Sequence, residues 1–181
     1  MKYNNLLKFL SSIIICELAG VVGSFFTIPS ISGWYKNLNK PVFNPPNWVF
    51  GPVWTTLFVL MGISLYLVWS KKFIVKNNLK PARRKAWNKW SQKFYSGDWQ
   101  KANIILVFIF QLVLNILWSI IFFGMHSPVL AIFELLMLWF AIIFTIVNFY
   151  RVSKVAALLL LPYILWVSFA GILNLAIFLL N

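Results

Sequence analysis

Five long apolar runs divide the sequence, at about residues 6–28, 48–69, 102–123, 129–149 and 155–180. Each is near the ~20 residues that a helix needs to cross the hydrocarbon core of a bilayer. The pattern predicts an all-α polytopic membrane protein, one domain built as a bundle of five transmembrane helices. The first run could be read as a signal peptide, but Glu17 interrupts it and no A-x-A site follows, so it is read as a retained span. Within it, Gly20 and Ser24, and Ala19 and Gly23, are four apart, a spacing that allows helices to approach closely in lipid.

The polar breaks differ in kind. Residues 29–47 are dense in Gly, Pro, Asn and aromatics, and Pro41, Pro45 and Pro46 each deny a helix, so this segment is expected to be a lid-like loop. Trp48 and Trp69 bracket the second span as interface anchors, and Pro52 falls near its start, where proline is tolerated. Gly124 to Pro128 predict a tight turn, and Arg151 with Lys154 a short basic loop. Pro162 is expected to bend the last helix.

Composition agrees: 61% of residues are hydrophobic, 19% aromatic and only 10% charged, against about 25% charged in soluble domains. The charge is lopsided, with 16 Lys+Arg against Glu17, Asp98 and Glu134. Ten of those cations lie in the segment 71–101, which fits an orienting loop at anionic lipid better than a nucleic-acid groove. No nucleic-acid recognition motif accompanies them. Trp87, Trp90 and Phe94 recur there at i, i+3, i+7 among cations, predicting a short helix in the headgroup plane. The N-terminus, the basic segment and the loop at Arg151 share one side and hold 14 of the 16 cations. The positive-inside rule makes that side cytoplasmic, with the first loop and the C-terminus opposite. Cys16 has no partner for an intrachain disulfide, and His126, the one histidine, has no acidic or Cys neighbour in sequence. Neither a metal site nor a cofactor is expected.

Polar groups inside a span are costly and usually face the bundle interior. Gln111, Asn115, Trp118 and Phe122 share one face of the third span. Glu134, Leu138, Ala141, Thr145 and Asn148 form a stripe on the fourth; Tyr163, Trp166, Ala170 and Leu173 on the fifth; Trp54, Phe58, Met61 and Leu65 on the second. Bundle packing with interhelical hydrogen bonds produces such stripes too. The convergence of Trp54, Trp118 and Trp166 adds something: three indoles with an amide nearby suit a flat apolar ligand that has a polar edge. Glu17 and Glu134 could shape such a site, with Glu134 the stronger candidate, but a proton relay would need more titratable partners than the spans offer.

From Trp34 the sequence reads WYKNLNKPVFNPPNWVFGPVWTTLFVLMGISLYLVW, followed later by QLVLNILWSIIFFG and LLLLPYILWVSFAGILN. These blocks closely resemble the tryptophan-rich sensory protein or translocator protein family, also called the peripheral benzodiazepine receptor family, with Phe58 where tyrosine is usual. The resemblance covers nearly the whole chain apart from the basic segment. It implies a five-helix bundle, commonly a homodimer, that binds porphyrins such as protoporphyrin IX. By the same resemblance the ligand pocket comprises Tyr35, Trp48, Trp54, Asn115, Trp118, Trp166, Ala170 and Leu173. Trp54 and Trp166 match tryptophans implicated in porphyrin degradation in bacterial relatives, which makes them the candidate catalytic residues. The family's cholesterol-recognition motif is not met, since Leu175 and Leu179 occupy its aromatic and basic positions. The basic segment is also longer than usual.

Three functions compete at this point. One is a membrane receptor or carrier for porphyrin-type tetrapyrroles, with residues 29–47 as the lid and the prolines stiffening it. A second is light-dependent porphyrin breakdown, in which the photosensitiser supplies the chemistry and Trp54 and Trp166 supply electrons. The third is a scaffold whose basic segment docks acidic lipid or protein.

Overall fold

The computed structural model describes residues 2–71 and 97–181, and every regular element among them is helical. The order is α1 (Lys2–Ser32), α2 (Trp34–Asn37), α3 (Asn47–Trp69), α4 (Gly97–Ser119), a π-helical turn (Ile120–Gly124), α5 (Pro128–Val152), α6 (Lys154–Leu158) and α7 (Leu161–Leu180). Five segments are long and apolar enough to span a membrane: Tyr3–Ser32, Asn47–Trp69, Trp99–Gly124, Pro128–Val152 and Lys154–Leu180. Their outward faces are apolar, with Phe25, Leu106, Phe133, Phe140 and Leu165 all exposed. That is the surface a lipid-solvated bundle requires.

The helices outrun the apolar stretches. α1 begins at Lys2 and passes through Pro29 to Ser32, so the loop expected over 29–47 starts only at Gly33 and itself contains α2. Pro29 is tolerated because it deprives only the carbonyl of Phe25 of its donor, close to a helix end where carbonyls are freed anyway. α4 starts at Gly97, inside the segment expected to be loop to residue 101. The in-plane helix expected at Trp87, Trp90 and Phe94 lies outside the described residues. The last span is not one bent helix: α6 ends at Leu158 and α7 begins at Leu161, with Pro162 in its first turn. A proline there gives up an N–H that has no intrahelical acceptor, so restarting the helix costs less than kinking it.

α1 packs along α3 and α4, α4 on α5, and α5 on α7, while α3 closes the ring on α6. Close approach depends on small residues. A methyl group at Gly62 would stand 2.6 Å from the Cα of Ile13, and one at Gly20 would stand 2.6 Å from the Phe58 ring. Hydrogen bonds then pin the seams. Ser64 Oγ donates to the carbonyl of Ala156 (2.7 Å), Trp139 Nε1 to Ser168 Oγ (2.9 Å), and Asn115 Nδ2 to Tyr163 Oη (3.0 Å). Ser127 and Ser153 cap the helices that follow them by accepting from Leu130 N and Ala156 N.

Candidate functional site

At the end of the bundle nearest α2, helices α1, α3, α4 and α7 enclose a cavity of about 480 Å³. That volume is within the range of small-molecule sites. Its shape follows from residue size. On the α1 side, Ala19, Gly20, Gly23 and Ser24 present little bulk, while Trp54, Trp118 and Trp166 stand on the facing helices. Small residues opposite indoles leave a slot with flat apolar walls.

All eight residues named as the pocket line this one space: Tyr35, Trp48, Trp54, Asn115, Trp118, Trp166, Ala170 and Leu173. They are not equivalent in position. Tyr35 is 4% exposed and sits beneath the lid, whereas Trp48 is 75% exposed and stands at the rim. Asn115 contributes from the floor, where its amide is committed to Tyr163. Trp54 stacks on Phe58 (5.7 Å between centroids, 30°), and Trp118 on Phe122 (5.2 Å, 13°). Trp54 and Trp166, the two candidate catalytic residues of the sequence, share the cavity.

The π-helical turn explains part of the wall. Its wide ring, closed by Met125 N donating to the carbonyl of Ile120 (2.8 Å), turns consecutive Phe122 and Phe123 into the interior. Both rings meet Tyr35 and Trp118. The turn leaves through His126, a non-glycine residue at φ 53°, whose imidazole stacks on Trp34 (4.6 Å, 21°). Ser30 Oγ donates to the carbonyl of Phe123 (2.7 Å). Turn and lid are thus joined to the top of α1.

The lid is a built structure. Tyr35 Oη donates to Asn44 Oδ1 (2.9 Å), Asn44 N donates to the carbonyl of Pro41 (2.9 Å), and Lys40 Nζ lies 4.8 Å above the Tyr35 ring. Lys40 also donates to the carbonyls of Lys36 and Leu38, the free acceptors at the end of α2. Burial holds the Tyr35 phenol above its usual pKa, against the opposing pull of its bond to Asn44.

Four polar groups in the lining have no protein partner: Oε1 of Glu17, Nε1 of Trp118, Nε1 of Trp166, and the whole amide of Asn174, a residue 2% exposed. An unpaired buried amide costs about 1–3 kcal/mol, so these atoms mark where a bound molecule would gain most. Asn174 escaped the sequence reading, although it lies eight residues after Trp166 and four after Ala170, on the same helical face. Of the two acids, Glu17 lines the cavity, while Glu134 is buried on α5, none of whose residues reaches the lining. The stripe of Glu134, Leu138 and Thr145 does face inward, but it packs against the core behind the cavity.

The chain matches the sequence profile of the TspO/MBR family over residues 12–180. It is 42% identical over 177 residues to the tryptophan-rich protein TspO of Archaeoglobus fulgidus, covering 98% of this chain and 99% of that protein. It is 37% identical over 159 residues to the translocator protein of Homo sapiens, covering 87% and 80%. To the tryptophan-rich sensory protein of Cereibacter sphaeroides it is 30% identical over 141 residues, covering 78% and 72%. A five-span helical bundle, a tryptophan-lined cavity under a proline-stiffened lid, and a match spanning nearly the whole chain lead to one statement of kinship: this is a multi-pass integral membrane protein of the TspO/MBR family.

Proposed function

We propose that this protein is a membrane receptor or carrier that binds porphyrin-type tetrapyrroles in the cavity beneath its lid. The observation that carries this reading is the meeting of Trp54, Trp118 and Trp166 in one slot that also holds unpartnered polar groups. A porphyrin is flat and apolar on its faces and carries acceptors at its edge. Indole rings suit the faces, and the N–H groups of Trp118, Trp166 and Asn174 suit the peripheral carboxylates as acceptors. The lid's prolines and internal hydrogen bonds support the same reading, since a pre-ordered cover lowers the entropy cost of binding. The translocator and sensory names of the relatives fit a carrier or receptor.

Membership in a homodimer and an N-terminus on the cytoplasmic side belong to the same proposal. The second rests on the cation count of the two faces.

The experiment is titration of the solubilised protein with protoporphyrin IX, following tryptophan fluorescence. Saturable quenching that weakens in Trp166→Ala is expected. Linear, unsaturable quenching, or a Trp166→Ala variant that behaves like wild type, overturns the reading. Chemical cross-linking in native membranes tests the dimer.

A further inference from the structure

We infer that a planar ligand reaches the cavity sideways from the bilayer, through a groove between α3 and α7 gated by Trp166 and Phe169. The inference rests on the binding role proposed above and adds a route and a second, outer contact site for the same apolar macrocycle.

Outside the cavity, on the face where α3 and α7 adjoin, lies an open apolar groove of about 580 Å³. Val53 and Leu57 of α3 form one side, and Leu165 and Phe169 of α7 the other. Trp166 lines both this groove and the cavity, so its indole stands where the two spaces meet. Leu165 is exposed where lipid chains would lie. A flat hydrophobic molecule dissolved in the bilayer meets this groove without first entering water.

The seam at this point is unlike the others. Among the described residues, the hydrogen bond tying α3 to the last span is Ser64 to Ala156, at the end away from the cavity. Towards the lid the two helices meet through rings. Trp54 touches Tyr163 (6.4 Å, 67°) and Phe50 touches Trp166 (5.9 Å, 69°), while Phe43 of the lid touches Phe169 (6.4 Å, 65°). Phe169 in turn braces Trp166 (5.5 Å, 41°). Edge contacts of this kind are weak individually and are broken by side-chain rotation, with no helix displaced. By contrast, the α1–α3 seam interlocks backbone against backbone at Gly62 and Ile13.

The route through the lid is the more strongly closed. Asn39 and Asn181 exchange hydrogen bonds between the lid and the end of α7, and Ser30, Trp34 and His126 join the lid's root to the π-helical turn. Opening it breaks several hydrogen bonds together, whereas the lateral gate gives way by rotating Trp166 once Phe169 has moved.

The test is stopped-flow tryptophan quenching in proteoliposomes, with protoporphyrin IX delivered in a second population of vesicles of the same lipid. Phe169 lines the groove and not the cavity, so Phe169→Ala is expected to raise the association and dissociation rates together by about two- to tenfold. Leu165→Trp, at a lipid-exposed position that folding tolerates, narrows the groove and is expected to slow both rates. Asn181→Ala, which removes the side chain that both bonds to the Asn39 backbone depend on, is expected to change neither. If Asn181→Ala speeds binding while both groove variants keep wild-type rates, entry is through the lid and the inference is overturned. Failure of saturable quenching in wild-type protein would instead overturn the binding role, so the two failures are distinguishable.

Discussion

Asn39 in the lid and Asn181 at the end of α7 clasp each other across 142 residues of sequence. Asn181 Oδ1 accepts from Asn39 N (2.9 Å), Asn181 Nδ2 donates to the carbonyl of Asn39 (3.0 Å), and Asn39 Nδ2 donates to the carbonyl of Leu180 (3.2 Å). A further bond from Asn181 Nδ2 to the carbonyl of Ile177 (2.8 Å) steadies the amide from below. Each such bond is worth about 0.5–1.5 kcal/mol net. Asn181→Ala should therefore free the lid while leaving the bundle intact. Hydrogen exchange would show faster exchange confined to residues 33–46, with the helix cores still protected. Equal protection of those residues in the variant would show that the clasp does not hold the lid.

The crossing of α1 and α3 predicts a strong effect from the smallest substitution. Gly62→Ala places a methyl group 2.6 Å from the Cα of Ile13, where backbone rather than a flexible side chain must give way. Overpacking of this kind costs about 1–3 kcal/mol, so the melting temperature in detergent should fall. Gly171→Ala is the control, because a methyl group there meets nothing within 4 Å and alanine is the better helix former. It should be neutral or slightly stabilising.

Trp118→Phe and Trp166→Phe keep a ring in the cavity but remove an N–H that has no protein partner. In the ligand-free protein neither should lose thermal stability by loss of a hydrogen bond. Each should weaken porphyrin binding by about two- to tenfold if the indole donates to the ligand. Unchanged affinity in both would mean that the indoles serve only as apolar walls.

Tyr35 gives the lid an alkaline limit. Burial raises its folded pKa above the unfolded value of about 10. The stabilisation is fully present below the unfolded pKa and is lost as pH rises through the folded one. Above that point the phenolate can no longer donate to Asn44. Quenching titrations across this range should show affinity falling in an alkaline step, and Tyr35→Phe should lack that step.

Several features were legible because they depend on local rules. Five apolar runs of membrane-spanning length name five helices, and the helical period alone turned Trp54, Trp118 and Trp166 inward. Quoted motifs carried the eight pocket residues, all of which the fold brings into one space. The period could not distinguish facing the interior from facing the cavity. The Glu134 stripe obeys the same rule as the Trp118 stripe, but α5 lies behind the slot, so its carboxylate reaches core and that of Glu17 reaches the lining.

By itself, the sequence determined how many membrane-spanning segments this protein has, which faces turn inward, and which aromatic and amide groups were available for a site. These properties follow from transfer free energy and helical repeat, which act over a few residues at a time. Tertiary structure alone decided the rest. It paired Asn39 with Asn181, widened the end of α4 so that both Phe122 and Phe123 face in, and restarted the last helix before Pro162. It also left α3 and α7 joined near the lid by rings. Such outcomes depend on which helices become neighbours and how closely their smallest residues let them approach, a property of the assembled bundle that no single segment contains.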